Sequence, residues 1–182
     1  VFKDERTDKN PLAAPAIRNC GKYRREIEFE GRKDSKRLYT TINYPLLRYS
    51  DVLLMYAEAA NELSGPTDSA YMFVQQVRER AGIKTRDKSE YTQQTFRELV
   101  RNERARELCF ESLRKYDLIR WGVYVTEMNN YKVWTADERW AGNSKADRAL
   151  DMGTSVSQRH VLLPIPSIEL GVNDLLVQNP LW

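Results

Sequence analysis

The chain has 182 residues and a formal net charge of +3, with 41% hydrophobic and 30% charged residues, a composition typical of one globular domain that buries a core. Acidic and basic residues are mixed along the chain, so it lacks the basic face or stripe of a nucleic-acid-binding protein. Its longest strongly apolar run, residues 52–57, is far below the roughly 18 residues of a membrane span.

The first 43 residues are predicted to form a loop-rich lead, which proline and glycine interrupt. Residues 23–29 and 37–42 show imperfect apolar alternation, which predicts two short strands. The chain opens with a polar segment and without methionine. We therefore expect it to be a fragment of a longer protein.

Residues 44–122 are predicted to form two helix hairpins. Pro45 opens the first helix, because proline fits the first helical turn, and Gly65 with the following proline ends it. The apolar residues recur at helical spacing, which predicts one buried face. The residues of this predicted face are Leu46, Tyr49, Val52, Leu53, Tyr56, Ala60 and Leu63.

The second predicted helix starts near Thr67 or Asp68, both of which are favourable N-cap residues. Gly82 is its predicted C-terminal cap, since glycine adopts the left-handed backbone conformation at low cost. Apolar residues again recur at helical spacing and predict a second buried face. These residues are Ala70, Phe73, Val74, Val77 and Ala81.

The third and fourth predicted helices complete the second hairpin. Thr92 caps the third, which extends through Phe110 and carries Cys109 as a predicted buried thiol on its apolar face. The fourth covers residues 112–121 and ends at Gly122. Two consecutive hairpins predict a mainly α fold built of tetratricopeptide-like helix pairs, although no repeat of fixed period is present.

The remaining residues are predicted to be irregular. Residues 123–159 are rich in Asn, Asp, Ser, Gly and Lys, and they predict a long loop excursion. Residues 160–182 contain prolines that favour extended backbone, and their apolar side chains predict a tail that docks on the helices. The whole chain, residues 1–182, is thus expected to be a single domain with irregular arms and long loops.

Four blocks in this order resemble the SusD/RagB family of outer-membrane nutrient-binding lipoproteins from gut-type Bacteroidetes. Residues 44–63 resemble the first helix of this region of the family, and residues 74–83 resemble the helix that ends in its R-x-RAG signature. Residues 96–122 match the element E-R-x-x-E-L-x-F-E-x-x-R-x-x-D-L-x-R-W-G. Residues 162–182 resemble the closing tail, L-P-I-P followed by Q-N-P and an aromatic residue.

Two local departures from the family pattern occur. The family usually has glycine at the position of Ser112, and Asn-Pro near Asn173 and Asp174. Family members are also much longer, so the chain resembles only their C-terminal part. The lipidated N-terminal cysteine and much of the usual ligand-binding surface would then lie outside it.

The resemblance implies a surface-exposed lipoprotein of the outer membrane that captures oligosaccharides or other large nutrients. It would act as the lid of a SusC-like TonB-dependent transporter, which carries the ligand inward. The implied fold is mainly α-helical, with tetratricopeptide-like pairs, and neither catalysis nor a cofactor is expected. An alternative is a helical interaction module that holds the transporter without contacting ligand.

Aromatic residues between 123 and 159 are the candidate ligand contacts. Trp134 and Trp140 lie in a polar stretch without apolar periodicity. They can anchor the loop, meet a partner or stack on a sugar ring, whose apolar face suits a flat aromatic surface and whose rim needs hydrogen bonds. The candidate ligand residues are Tyr131, Trp134, Arg139, Trp140 and Asn143.

The charged stretch from 101 to 120 is predicted to be structural. Glu103, Glu107 and Glu111 recur every four residues and lie along one side of a helix. Two of them could act as the acid and base of a glycosidase, but neighbouring arginines are expected to keep them ionised. The predicted network consists of Glu103, Arg104, Glu107, Glu111, Arg114, Asp117 and Arg120.

No catalytic or metal site is predicted from the remaining residues. His160 is the only histidine, and no nucleophile elbow accompanies it. One histidine and two distant cysteines also make a poor zinc site, so a structural or surface role is expected for His160. The predictions therefore include neither catalytic residues nor a metal.

Overall fold

The computed structural model describes residues 22–23, 42–135 and 144–182. Secondary structure in these ranges is helical, without a strand, which confirms the predicted mainly α fold. The chain divides into two compact units, Cys20–Arg114 and Val1–Asn19 with Lys115–Trp182. The predicted strands 23–29 and 37–42 lie outside the described residues except for Tyr23 and Ile42.

In its described residues, the unit Cys20–Arg114 has three long helices and one short turn of helix. They are α1 (Tyr49–Ser64), α2 (Asp68–Arg80), a 3-10 turn (Lys88–Glu90) and α3 (Gln93–Glu107). α1 packs against both α2 and α3. This arrangement is the helix pairing that the sequence predicts.

Local signals at the helix ends act as expected. The hydroxyl groups of Thr67 and Thr92 accept hydrogen bonds from the third residue of α2 and α3 at 3.2 Å each. Gly82 follows α2 with φ +74°, and the amide of Ile83 donates to the carbonyl of Arg78 at 3.0 Å. Glycine fits this motif because it has no Cβ to clash in the left-handed region.

The apolar core of this unit lies where the three helices meet. Leu54 and Ala57 of α1, Val74 of α2, and Phe96 and Val100 of α3 are fully buried. Burial contributes about 25 cal/mol for each Å² of apolar surface removed from water. This contact is therefore the main apolar stabilisation of the unit.

The buried face of α1 differs from the predicted one. Leu53 is buried as expected, but Tyr49, Val52 and Tyr56 are exposed. α1 begins at Tyr49 because Arg48 is extended at its N-cap, so Leu46 precedes the helix and is exposed. The two neighbours of α1 pack on the side of Leu54 and Ala57, and spacing alone does not select that side of an apolar helix.

Polar contacts join the far ends of α1 and α3. Asn61 is fully buried, and its side-chain amide donates to the carbonyl of Gln93 at 3.0 Å. In turn, the side-chain amide of Gln93 donates a hydrogen bond to the backbone carbonyl of Asn61 at 2.6 Å. These contacts join the C-terminal end of α1 to the N-terminal end of α3, and the Asn61 carbonyl also accepts from the Gly65 amide at 2.9 Å.

The second unit contains shorter helices. α4 (Arg114–Arg120) begins at the boundary between the units and is followed by α5 (Tyr124–Thr135), α6 (Ser144–Ser155), a 3-10 turn (Gln158–Val161) and α7 (Ser167–Val172). Gly122 has φ +70° after α4, and Val123 donates to the carbonyl of Leu118 at 3.0 Å. The predicted glycine stop is thus present.

Residues 123–159 are not the predicted loop excursion, because α5 and α6 occupy most of that segment. The two helices pack against each other, and Tyr124 at the start of α5 is buried. The polar composition of the segment concealed them, since helix pairing can stabilise a sequence whose own periodicity is weak.

The C-terminal tail folds back on itself. The side chain of Gln178 exchanges hydrogen bonds with the backbone of Ile165 at 2.8 and 3.0 Å. The Trp182 indole donates to the carbonyls of Arg159 and Leu162 at 2.9 and 3.0 Å. Although burial of the apolar tail is predicted, Leu163 and Leu175 remain exposed, because these polar contacts hold the tail without covering them.

Candidate functional site

A cluster of charged side chains surrounds the C-terminal end of α3. We call Lys22, Arg48, Arg80, Glu107 and Glu111 the charge cluster. The Glu107 carboxylate accepts from Arg48 Nη1 at 2.7 Å, and both of its oxygens accept from Arg80 Nη2 at 2.7 Å. Glu107 is buried, so these charged hydrogen bonds replace the water that its carboxylate loses.

Arg48 connects the two glutamates of the charge cluster. Its Nε donates to Glu111 Oε2 at 2.7 Å, and its Nη2 donates to the Glu107 carbonyl at 2.6 Å. Lys22 forms an ion pair with Glu111 and donates to the same Glu107 carbonyl at 2.6 Å. This carbonyl lies at the end of α3, where helix carbonyls lack intrahelical partners and attract cations.

The contacts of the charge cluster shift pKa values in opposite directions. Burial alone would raise the pKa of Glu111, but hydrogen bonds from Arg48 and Lys22 outweigh burial and lower it. Burial alone would lower the pKa of Arg48, and hydrogen bonds to Glu111 and Glu107 raise it instead. Both groups are therefore charged at neutral pH.

Two further buried pairs lie on the preceding turns of α3. Arg104 Nη1 contacts Asp51 Oδ1 of α1 at 2.8 Å, and both side chains are buried. Glu103 Oε2 contacts Arg78 Nη1 of α2 at 2.7 Å. Charged contacts thus join the C-terminal half of α3 to both other helices of the unit.

The cations that pair with Glu107 and Glu111 come from other segments of the chain than expected. Arginines of the same stretch were expected to neutralise the glutamates, but Glu107 and Glu111 pair with cations from other segments. Arg106, which lies 3.6 Å from Glu103, follows the expected local pattern. In α4 the expected contact between Asp117 and Arg120 forms at 2.8 Å, and Arg114 is the first residue of that helix.

Cys109 also differs from its prediction. α3 ends at Glu107, three residues earlier than predicted, and the Cys109 thiol is exposed. The next residues reverse the chain, with φ +65° at Phe110 and +61° at Ser112. Cys109 consequently lies beyond the apolar face that was expected to cover it.

A cleft of about 370 Å³ opens beside the charge cluster. Next to it, the rings of Tyr23 and Tyr44 stack with centroids 5.8 Å apart. The cleft is lined by Lys22, Tyr23, Ile42, Asn43, Pro45, Arg48, Arg80, Arg106, Glu107 and Glu111. It combines charged, aromatic and backbone surfaces, as binding sites for polar ligands do.

A second groove of about 420 Å³ lies between α1 and α2 and shares Arg48 and Arg80 with the cleft. Leu53 and Val77 contribute apolar surface to it. The exposed apolar side chains of α1 extend this surface along the helix. The groove is thus suited to a protein partner better than to a charged small molecule.

The structure does not describe the side-chain contacts of the predicted ligand residues. The backbones of Tyr131 and Trp134 belong to α5, while their side chains are outside the described part of the chain. Trp140, Arg139 and Asn143 lie outside the described residues altogether. All five remain predictions.

Sequence reasoning missed the cations of the cleft. Arg48 and Arg80 were seen only as parts of helical motifs, because their partners are 27 to 63 residues away along the chain. The one signal in the sequence that pointed to these cations was that basic residues outnumber acidic ones in several separate segments. A surplus of charge does not reveal which residues meet in space.

Two other kinds of site are absent from the described residues. Within residues 22–23, 42–135 and 144–182, no group of His, Cys, Asp and Glu is arranged to hold a metal ion. In the same described part, no helix has both the length and the apolar character required to cross a bilayer. Glu103 and Glu107 of α3 form ion pairs with Arg78 and Arg80.

Comparison with known proteins gives a consistent result. The model of the SusD family matches residues 9–182. A SusD-like protein P25 from Formosa agariphila is 37% identical over 151 residues, which cover 80% of this chain and 25% of that protein. The starch-binding protein SusD from Bacteroides thetaiotaomicron is 31% identical over 150 residues, which cover 82% of this chain and 23% of that protein.

A solved structure agrees with these matches. The crystal structure of a SusD homolog from Bacteroides thetaiotaomicron superposes with a TM-score of 0.68 at 35% identity. The match covers 79% of this chain and 28% of that protein. The chain thus spans about a quarter of the length of the relatives that it matches.

Proposed function

This chain belongs to the SusD family, and on that premise we propose that it is part of a cell-surface protein that captures oligosaccharides or related nutrients for import. The observation that carries the proposal is the family match over residues 9–182. A relative that is 31% identical is named a starch-binding protein. Capture of a nutrient outside the cell requires a protein at the cell surface that binds the nutrient without changing it chemically.

In this proposal a SusC-like TonB-dependent transporter receives the captured ligand and carries it inward. The protein is anchored at the outer membrane surface as a lipoprotein, through an N-terminal lipid. Both features rest on the family resemblance of the four sequence blocks. The helices α1 to α3 serve as the scaffold, because buried apolar and charged contacts hold all three together.

We also propose that the protein binds its ligand without hydrolysing it. A glycosidase needs one protonated carboxyl group and one carboxylate at about 5–10 Å from each other. Glu103, Glu107 and Glu111 each pair with at least one cation in the described structure. These ion pairs occupy carboxylate oxygens that a catalytic acid or base would need for its substrate.

Binding should be measured first by calorimetry with a panel of soluble neutral and acidic oligosaccharides. Trp134→Ala and Trp140→Ala should each weaken binding if the aromatic side chains stack on sugar rings. Tyr116→Ala is the matched control, because Tyr116 is an exposed aromatic residue outside the candidate set. Unchanged affinity in both tryptophan variants would remove those residues from the site, and the absence of binding to any glycan would contradict capture.

A second candidate function is a helical interaction module that holds the transporter without touching ligand. The exposed apolar side chains of α1, which include Tyr49, Val52 and Met55, favour it. Contiguous apolar surface of this kind often marks a protein interface. Co-purification with the transporter that is lost in Val52→Glu, together with no glycan binding, would support this function over capture.

A further inference from the structure

The cleft beside the charge cluster carries more positive than negative charge. Four of its lining side chains are cationic, those of Lys22, Arg48, Arg80 and Arg106, and two are anionic, those of Glu107 and Glu111. The two carboxylates are buried and already ion-paired. The lining residues that the structure describes therefore present a net positive cleft to solvent.

Two of these cations reach solvent. The side chains of Arg80 and Arg106 are 65% and 61% exposed, whereas that of Glu107 is 8% exposed. In its contact with Glu107, Arg80 uses Nη2, and a guanidinium carries five N–H donors. Arg106 lies 3.6 Å from Glu103, beyond ordinary hydrogen-bond length. Donors of both side chains can therefore turn to an anion in the cleft.

An aromatic surface lies at the same place. Tyr23 lines the cleft and stacks on Tyr44, whose side chain is 47% exposed. The hydroxyl of Tyr23 donates to the carbonyl of Phe110 at 3.4 Å, which helps fix its ring. Flat aromatic faces complement the apolar face of a pyranose, and guanidinium groups bind carboxylate and sulfate oxygens.

We propose that this cleft is a subsite for the anionic substituent of an acidic oligosaccharide. The substituent is a carboxylate or a sulfate ester, for which guanidinium groups offer the same chemistry, and Tyr44 supports the adjoining sugar ring. Arg80 and Arg106 are the specificity-determining residues, while Arg48 and Lys22 keep the two glutamates neutralised. The inference rests on the proposed function and names its class of ligand.

The volume of the cleft agrees with this ligand. About 370 Å³ is at the lower end of the range for small-molecule sites and accommodates one or two sugar rings. The subsite would thus bind one charged residue of a longer chain. Because exposed charges are screened by salt, binding should weaken as ionic strength rises.

Three probes of equal length test the proposal by calorimetry on the full chain at about 50 mM salt. They are an oligogalacturonate, a sulfated galactan oligosaccharide and a neutral galactan oligosaccharide. At least one acidic probe should bind about tenfold more tightly than the neutral one. A preference for the uronate or for the sulfated probe distinguishes the two sources of the anion.

Charge-removing variants test the residues. Arg106→Gln and Arg80→Gln should each weaken binding of the acidic probe several-fold and leave the neutral probe unaffected. Arg86→Gln removes the same charge from an exposed position outside the cleft and should change neither affinity. Thermal unfolding followed by circular dichroism establishes that Arg80→Gln remains folded, and Arg106→Gln provides the independent test.

Failure of this inference differs from failure of the proposed function. If the neutral and acidic probes bind equally, or if Arg106→Gln and Arg86→Gln behave alike, the anionic subsite is wrong and glycan capture stands. If no probe and no member of the wider glycan panel binds, both proposals are overturned. A tenfold preference that Arg106→Gln removes supports both.

Discussion

The two halves of α3 are buried to a similar degree but by opposite chemistry. In the first half, Phe96 and Val100 are fully buried against apolar side chains of α1 and α2. In the second half, Glu103 and Arg104 are almost as buried, and each pairs with an opposite charge from another helix. One helix thus changes from a hydrophobic to an ionic contact within two turns.

The difference shows what each half contributes. An apolar contact tolerates other hydrophobic side chains of similar volume. The first half of α3 therefore contributes stability without requiring particular residues at each position. A buried charge needs its own partner, because its desolvation is offset only by a well-placed opposite charge. We therefore expect the second half to fix the register of α1, α2 and α3.

The largest expected effect comes from breaking a buried pair. Arg104→Met leaves Asp51 buried without its 2.8 Å partner and should lower the free energy of unfolding by about 3–5 kcal/mol, measured by urea denaturation. The double variant with Asp51→Leu removes the buried charge that Arg104→Met leaves behind, and it should recover much of the lost stability. A cost below about 1 kcal/mol for the single variant would show that the pair behaves like an exposed one.

A smaller loss is expected in the apolar half. Val100→Ala removes two methyl groups from a fully buried site and should cost about 2 kcal/mol, from lost burial and a small cavity. Val172→Ala is the matched control, since Val172 is exposed and should change stability by less than about 0.5 kcal/mol. Equal losses in the two variants would contradict the assignment of the core.

Acid should act on the ionic half selectively. The folded-state pKa of Glu111 is lowered, so its contribution to stability is complete above about pH 4.3, the usual glutamate value, and is lost as pH falls through the lower folded pKa. Urea denaturation across this pH range should show a steeper loss of stability for the natural chain than for Glu111→Gln. Parallel profiles would contradict the role of the charge cluster.

The same reasoning predicts a weaker response at the surface. The hydrogen bond from Arg97 lowers the pKa of Glu62, and this pair is exposed on the first half of α3 and the end of α1. Exposed pairs contribute little because water and salt screen them. Glu62→Gln should therefore leave the acid profile almost unchanged.

A modest gain in stability is expected shortly after the end of α3. Ser112 has φ +61°, where a Cβ is strained, and it occupies a position where the family usually has glycine. Ser112→Gly should raise the free energy of unfolding by about 0.5–1 kcal/mol. Ser69→Gly, inside α2, should have the opposite sign, because glycine weakens a helix.

Prediction from sequence succeeded where the signal is local. Thr67, Thr92, Gly82 and Gly122 act at the expected helix ends, since capping depends on residues a few positions apart. It failed for α5 and α6, whose stability comes from their mutual packing. For the candidate site, Glu107 and Glu111 were singled out, whereas Arg48 and Arg80 were not connected to them.

The sequence by itself determined the family, the helical class and the helix ends marked by Thr67, Thr92, Gly82 and Gly122. Each follows from ordered motifs or from short-range hydrogen bonding and backbone sterics. Only the tertiary structure decided which side of α1 is buried and which cations meet Glu107 and Glu111. Those outcomes depend on contacts between segments that are distant along the chain, where burial and charge pairing act together. The spacing of residues along the sequence does not predict such contacts.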